Sequence, residues 1–300
     1  MQNKGTNMEI KNVIICGLGA LGLTYANKLK DYCNLKILAD FNRIEKYKKN
    51  TPIFNNKEVF LDYILPTDSW DADLIIISTK SRGLDSAIKL IENFVSKNTI
   101  IISLINGISS EEKIKKQYPN TKIIRSYFIG HSAINLNGSI TQDGIGKIVF
   151  EENETLENFF KINKIDYEIS DDIVYSQWLK LGVNIILNQL SAIYKCSVGE
   201  LRKKNEFMYY SQNLLKEVKK IAEASGIKLE DDYIKKVIES TYLIADDGKT
   251  SMYQDIIAKR KTEVDIFSGE IINLGKVFGI KTPYNEEIYS KIKLLERDFS

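Results

Sequence analysis

The sequence predicts an α/β domain built on a parallel sheet over residues 1–170, followed by an all-helical domain over 171–300. Three observations carry this reading. Apolar runs rich in isoleucine and leucine alternate with helical periods through the first half, the pattern of a parallel sheet covered by helices on both faces. A glycine turn, Gly17-Leu18-Gly19-Ala20-Leu21-Gly22, closes the first of those runs. After Ser170 the strand signals stop and helical spacing takes over.

In chain order, "NVIICGLG" is a buried-type strand running into glycines, and "ALGLTYANKLKDY" is the helix that follows. "LKILAD" and "DADLIIISTK" are the next strands, "AIKLIENFVSK" a helix and "TIIISLING" another strand, with further β-like stretches at "TKIIRSYFIG", "GSITQDGIGKIVF" and "IDYEIS". The helical half reads "IVYSQWLKLGVNIILNQLSAIYK", "NEFMYYSQNLLKEVKKIAEASG", "DDYIKKVIESTYLIA" and "TEVDIFSGEIINLGKVFG". A last helix, "TPYNEEIYSKIKLLERD", opens with Pro283 in its first turn.

Bulk composition narrows the function classes. With 42 basic and 40 acidic residues well mixed, the net charge of +2 leaves no footprint for nucleic acid. Cys16, Cys33 and Cys196 are odd in number and scattered, as expected of reduced thiols in a cytoplasmic protein. The single histidine, His131, excludes a histidine-rich metal site and disfavours a Ser-His-Asp hydrolase, so no metal is expected. No apolar run reaches the ~20 residues of a membrane span, and the polar start lacks a signal-peptide core. The residues before Met8 read as an extension.

The glycine turn matches GxGxxG, and its place between a strand and a helix is what gives the match weight. The first glycine permits the turn, the second lets backbone approach a pyrophosphate, and the third allows helix and sheet to close. The next strand ends at Asp40, where a carboxylate would hold an adenosine ribose diol and favour NAD. Arg43 follows three residues later and would hold a 2′-phosphate, favouring NADP; residues alone leave both open. Lys80 and Asn106 stand at two more strand ends, where ligands of such sheets bind, although each also suits ordinary turn chemistry.

In "WLKLGVNIILNQL", Lys180, Asn184 and Asn188 fall four residues apart, and four-residue steps advance about 400°, so they share one helix face. An amphipathic helix with a wet face of Gln177, Lys180, Asn184, Ser191 and Lys195 explains the spacing equally well. The absence of any charge between Lys180 and Lys195 favours a ligand-facing seam, because amides hydrogen-bond a ligand without burying more charge. A lysine among leucines and isoleucines is also a candidate proton donor to a ketone receiving hydride. Ser251 with Gln254 makes an S-x-x-Q capping box that accounts for this serine locally. Glu263 and Asp265 are expected at the start of the next helix, where acids favour the dipole.

Together the glycine turn, Lys80, "LING", "WLKLGVNIILNQL" and "SMYQD…RKTEVDIFSG" resemble the ketopantoate reductase (2-dehydropantoate 2-reductase) family over residues 8 to 298. The resemblance implies a Rossmann domain followed by an all-helical domain like the C-terminal domain of 6-phosphogluconate dehydrogenase. It implies reduction of 2-dehydropantoate to (R)-pantoate with NADPH, on the route to pantothenate and coenzyme A; the alternatives are a reductase of another 2-oxo acid or ketone with the same architecture and a dinucleotide-bound sensor without turnover. By position, Lys180 matches the catalytic acid and Glu263 the carboxylate that orients substrate and lysine. Asn184, Asn188 and Ser251 match substrate-holding residues, and Asn106 lies where nicotinamide and substrate meet. Gly17 to Gly22, Lys80, Asn106 and Glu263 fall on the cofactor side. Family members often carry an arginine where this chain has Asp40, so Arg43 compensates or NADH serves instead. The implied partner is a small 2-oxo acid, with no nucleic acid and no membrane; a homodimer is compatible.

Overall fold

The computed structural model describes residues 9–130, 133–136, 139–142 and 146–299. His131, the stretch through Met8, and residues 138 and 143–145 of the expected "GSITQDGIGKIVF" strand region lie outside them. The chain divides into two compact units, Met1–Ile173 and Val174–Ser300. Among the described residues no helix is long and apolar enough to cross a membrane.

The first unit is built on a six-stranded, fully parallel sheet. Its spatial order is Tyr63–Ile64, Asn34–Leu38, Asn12–Cys16, Leu74–Ile77, Ile100–Ser103, Lys122–Ile124. Numbered along the chain this is 3-2-1-4-5-6, the Rossmann order, and the direction of travel reverses between the first and fourth strands. Ile14, Ile15, Ile75, Ile76, Ile101 and Ile102 are wholly buried, which is why these strands read as unbroken apolar runs rather than alternating ones. The helix Ala20–Leu29 returns from the first strand and buries Leu23, Tyr25, Ala26 and Leu29.

Two smaller sheets accompany it. One pairs Ser126–Ile129, Lys147–Glu151 and Tyr167–Ser170. The other includes the hairpin Ile53–Phe54/Lys57–Glu58, turned by Asn55 and Asn56 at φ 48 and 62. Two-residue strands carry no period, so this hairpin left no hydrophobic signal in the sequence.

The regular elements of the second unit are, among the described residues, all helical. The helix Ile173–Val183 runs into a π-helical turn, Asn184–Asn188, and on into Gln189–Tyr194, where Lys195 at φ 51 ends it. Gly182 lets the neighbouring helix Tyr233–Thr241 close on it: a Cβ there would meet the Tyr233 hydroxyl at 2.5 Å, and that hydroxyl donates to Trp178 O at 3.0 Å. Glu217, buried on the long helix Asn205–Ala224, accepts from the Tyr284 and Asn285 N–H groups at 2.9 and 3.0 Å. It thereby caps the helix Pro283–Leu295, whose own Thr282 supplies no side-chain cap.

Candidate functional site

In the first unit the expected cofactor residues gather at the carboxyl ends of adjacent parallel strands. Gly17 follows the first strand at φ +105, and a Cβ on it would lie 2.7 Å from Thr79 N, beyond the fourth strand. Those two strands flank the point where the sheet order reverses, the place at which open α/β sheets bind ligands. Gly22 is equally constrained, since a Cβ there would lie 1.9 Å from Gly17 O. Gly19 is different. The nearest protein atom to its Cβ would be Ser78 O at 4.0 Å, so no internal contact demands a glycine. This leaves bare backbone at the head of the helix Ala20–Leu29, which no side chain caps. Such a cradle fits the pyrophosphate of a dinucleotide.

Asp40 and Arg43, the two residues expected at a ribose pocket, are paired with each other. Asp40 caps the helix Phe41–Lys49, its Oδ1 accepting from Arg43 N at 2.9 Å, while Oδ2 lies 3.4 Å from Arg43 Nε. Lys80 is exposed at the head of the short turn Ser81–Gly83. Asn106 is half-buried, followed by Gly107 at φ 96, beyond the strand Ile100–Ser103.

In the second unit the wet-face reading of the seam fails at Gln177, 3 % exposed, and at Ser191, 0 %, while Lys180 and Asn184 are half-buried and Lys195 is exposed. Asn188 is buried as well, at 8 %. Asn188 Nδ2 donates to Asn184 Oδ1 at 2.9 Å. Asn188 Oδ1 in turn accepts from the Ser251 hydroxyl at 3.2 Å and from Met252 N at 3.5 Å. The structure therefore joins Asn184, Asn188 and Ser251 in one relay. Lys180, half-buried, stands one turn before Asn184 on the same helix and is itself engaged in polar contact. The π turn that carries both asparagines is the sort of local widening found at functional sites. Buried Gln189 reaches back to Ile185 O at 3.0 Å across it.

The expected Ser251–Gln254 capping box is not what forms. The cap of the helix Ser251–Ile257 is Thr250, whose hydroxyl accepts from Tyr253 N, and Gln254 Nε2 turns to Lys249 O at 3.0 Å. Shifting the cap by one residue releases Ser251 for Asn188. Thr250 also touches Ser191, oxygen to oxygen, at 2.7 Å. Ser191 was legible only as one residue of the polar face, and Thr250 not at all, although the hydroxyl immediately before Ser251 was the available signal.

Glu263 and Asp265 likewise differ from expectation. Asp265 lies in a short 3₁₀ turn, Val264–Ile266, and Glu263 is the residue that precedes it, both ahead of the helix Ser268–Phe278 rather than in its first turn. Asp265 is bound by Tyr289 and Lys293 at 2.8 and 2.9 Å. The Glu263 segment is pinned by buried Glu296, which accepts from Thr262 N at 2.6 Å, while Lys261 Nζ reaches Glu296 O at 2.8 Å. Glu263 itself is half-buried and engaged.

The family model "Ketopantoate reductase PanE/ApbA" matches residues 13–155, and its C-terminal counterpart matches 172–296. A 2-dehydropantoate 2-reductase of Streptococcus pyogenes serotype M3 is 25% identical over 287 residues, covering 91% of this chain and 94% of that protein. One from Vibrio cholerae is 24% identical over 302 residues, covering 96% and 99%. Among solved structures, D-mandelate dehydrogenase with NADH and anilino(oxo)acetate superposes with a TM-score of 0.85 at 25% identity, covering 96% of this chain and 99% of that one. A PanE/ApbA family ketopantoate reductase from Ralstonia eutropha gives 0.80 at 22%, covering 95% and 98%.

Proposed function

The chain belongs to the ketopantoate reductase family, and from that premise we propose that it reduces the keto group of a 2-oxo acid, 2-dehydropantoate foremost, to the 2-hydroxy acid with NADPH. The observation that carries the reading is the Ser251–Asn188–Asn184 relay one turn from Lys180. It offers an acceptor-rich oxo acid a neutral amide beside a cation. The bound dinucleotide would supply a hydride to the carbonyl carbon. The chain's own residues do the rest. Gly17 to Gly22 would hold the pyrophosphate on bare backbone, with Lys80 and Asn106 at neighbouring strand ends. Lys180 would polarise the ketone and pass a proton to its oxygen as charge builds there, Asn184 would hold the substrate by its amide N–H, and Glu263 would orient substrate and lysine. No metal is required by this chemistry.

A second reading keeps the reaction and changes both reagents: NADH, and an oxo acid with a different side chain. Asp40 at the strand end favours it, since a carboxylate there suits a ribose diol and opposes a 2′-phosphate. So does the likeness to D-mandelate dehydrogenase with NADH. Initial rates with 2-dehydropantoate, pyruvate, 2-oxoisovalerate and an aryl 2-oxo acid, each with NADPH and NADH, separate the two. A preference for 2-dehydropantoate with NADPH supports the first; a preference for another acid or for NADH supports the second; no turnover of any pair defeats both.

A further inference from the structure

We propose that Ser191 and Thr250 are positioning residues whose paired hydroxyls set the sense of the amide relay, so that Asn184 is presented as a hydrogen-bond donor. Ser191, wholly buried, donates to Asn188 O at 3.2 Å. A serine has one hydroxyl proton, so the 2.7 Å contact between Ser191 Oγ and Thr250 Oγ1 uses the threonine's. Thr250 Oγ1 then accepts from Tyr253 N at 3.3 Å and so caps the helix Ser251–Ile257. That cap sets the first two residues of the helix where the Ser251 hydroxyl and Met252 N–H both reach Asn188 Oδ1.

The Met252 N–H can only donate, so the Asn188 atom it faces is the oxygen, and the Ser251 hydroxyl, able to donate or accept, donates to the same atom. The Asn188 nitrogen therefore faces Asn184, which must offer its own oxygen to it, at 2.9 Å. What remains of the Asn184 amide is its NH₂. Were Asn188 reversed, the Met252 N–H would face an NH₂ group, and Asn184 would turn an acceptor outward, against a carboxylate or a ketone oxygen. The seam helix alone does not decide between these orientations. Ser191 does so together with Thr250, 59 residues further on, whose cap places Ser251 and Met252 against Asn188. Arg202 secures the segment leading to it: the guanidinium donates to Thr241 O at 2.6 Å and Ile244 O at 3.2 Å and pairs with Asp246. The Val198 and Gly199 N–H groups hold Gly248 O and Asp246 O at 3.0 and 2.8 Å.

The proposal rests on the reading that this face binds an oxo acid, and its test separates the two. In the full chain, Ser191→Ala, Thr250→Val and Thr250→Ser are compared with wild type. Side-chain amide resonances of Asn184 and Asn188 are recorded by ¹⁵N NMR without substrate, and KM is measured for oxo acid and for cofactor. We expect Ser191→Ala and Thr250→Val to shift both amide resonances and to raise KM for the oxo acid about tenfold, the effect of roughly one lost hydrogen bond. Cofactor KM stays unchanged and Thr250→Ser returns the oxo-acid KM to within about twofold, well under one such bond. Unmoved amide resonances overturn the proposal, as does a rise in both KM values together with a fall in Tm. If wild type turns over no oxo acid, the proposed function fails while the amide spectra still decide the orientation.

Discussion

Asp40 and Arg43 hold each other: the Arg43 N–H donates to Asp40 Oδ1 at 2.9 Å and the guanidinium Nε lies 3.4 Å from Oδ2. The carboxylate that would bind a ribose diol thus sits beside the cation that would bind a 2′-phosphate. Neither is buried, so, on the proposed reading, the balance between NADH and NADPH should respond to single substitutions at either.

Asp40→Ala is expected to raise the ratio of kcat/KM for NADPH over NADH about tenfold, because it removes a like charge from the 2′-phosphate; Arg43→Ala is expected to lower it by a similar factor. Asp40→Ala also loses a helix cap, for about 1 kcal/mol of stability. Steady-state kinetics with both cofactors, together with urea unfolding, check this. A ratio unmoved by either change would place the ribose elsewhere.

The three glycines of the turn should separate fold from binding. Gly22→Ala drives a methyl into Gly17 O, and Gly17→Ala both strains a φ of +105 and strikes Thr79 N, so each should lower Tm sharply. Gly19→Ala meets no protein atom closer than 4.0 Å. It should leave Tm unchanged while weakening dinucleotide binding at least tenfold in a titration calorimeter, the effect of ~1.4 kcal/mol of lost backbone approach. Unaltered affinity in Gly19→Ala would mean the turn is only structural.

Lys180→Ala should lower kcat by about 10² to 10⁴, the usual share of a positioned general acid, with dinucleotide affinity unchanged. Lys180→Arg should restore little, since a guanidinium keeps its proton. Single-turnover hydride transfer measured alongside dinucleotide affinity would show this, and an unchanged rate would remove Lys180 from the chemistry.

The cysteines should be inert in the folded chain. Burial pushes the Cys16 thiol from its ordinary 9.0 to about 12, against a small opposing pull from Arg43. It pushes Cys33 to about 11 and raises Cys196 as well. A value raised on folding means stability that is complete below 9.0 and is lost as pH climbs toward 11 and 12. Ellman's reagent at about pH 8 should therefore react slowly with native protein and with all three thiols after denaturation. The urea midpoint should fall as pH rises past about 9.

Much of the fold was legible because its causes are local. Ile14, Ile75 and Ile101 sit in strands buried on both faces, so their neighbours had to be apolar as well, and Gly17 and Gly22 occupy positions where any Cβ collides. Pro283 opened its helix as expected. The hairpin at Asn55 and Asn56 was silent for the complementary reason, being too short to show a period.

By itself, the sequence determined the parallel sheet, the glycine turn and the helical second half, because backbone sterics and burial periodicity act over a few residues. It also aligned Lys180, Asn184 and Asn188 along one helix. Whether that face was wet or buried, and which way each amide points, tertiary structure alone decided. Asn188 is oriented by Ser251, 63 residues on, and Ser251 is free to do so only because Thr250 took the cap. A hydrogen bond has direction and needs its partner in place; spacing along one helix cannot supply either.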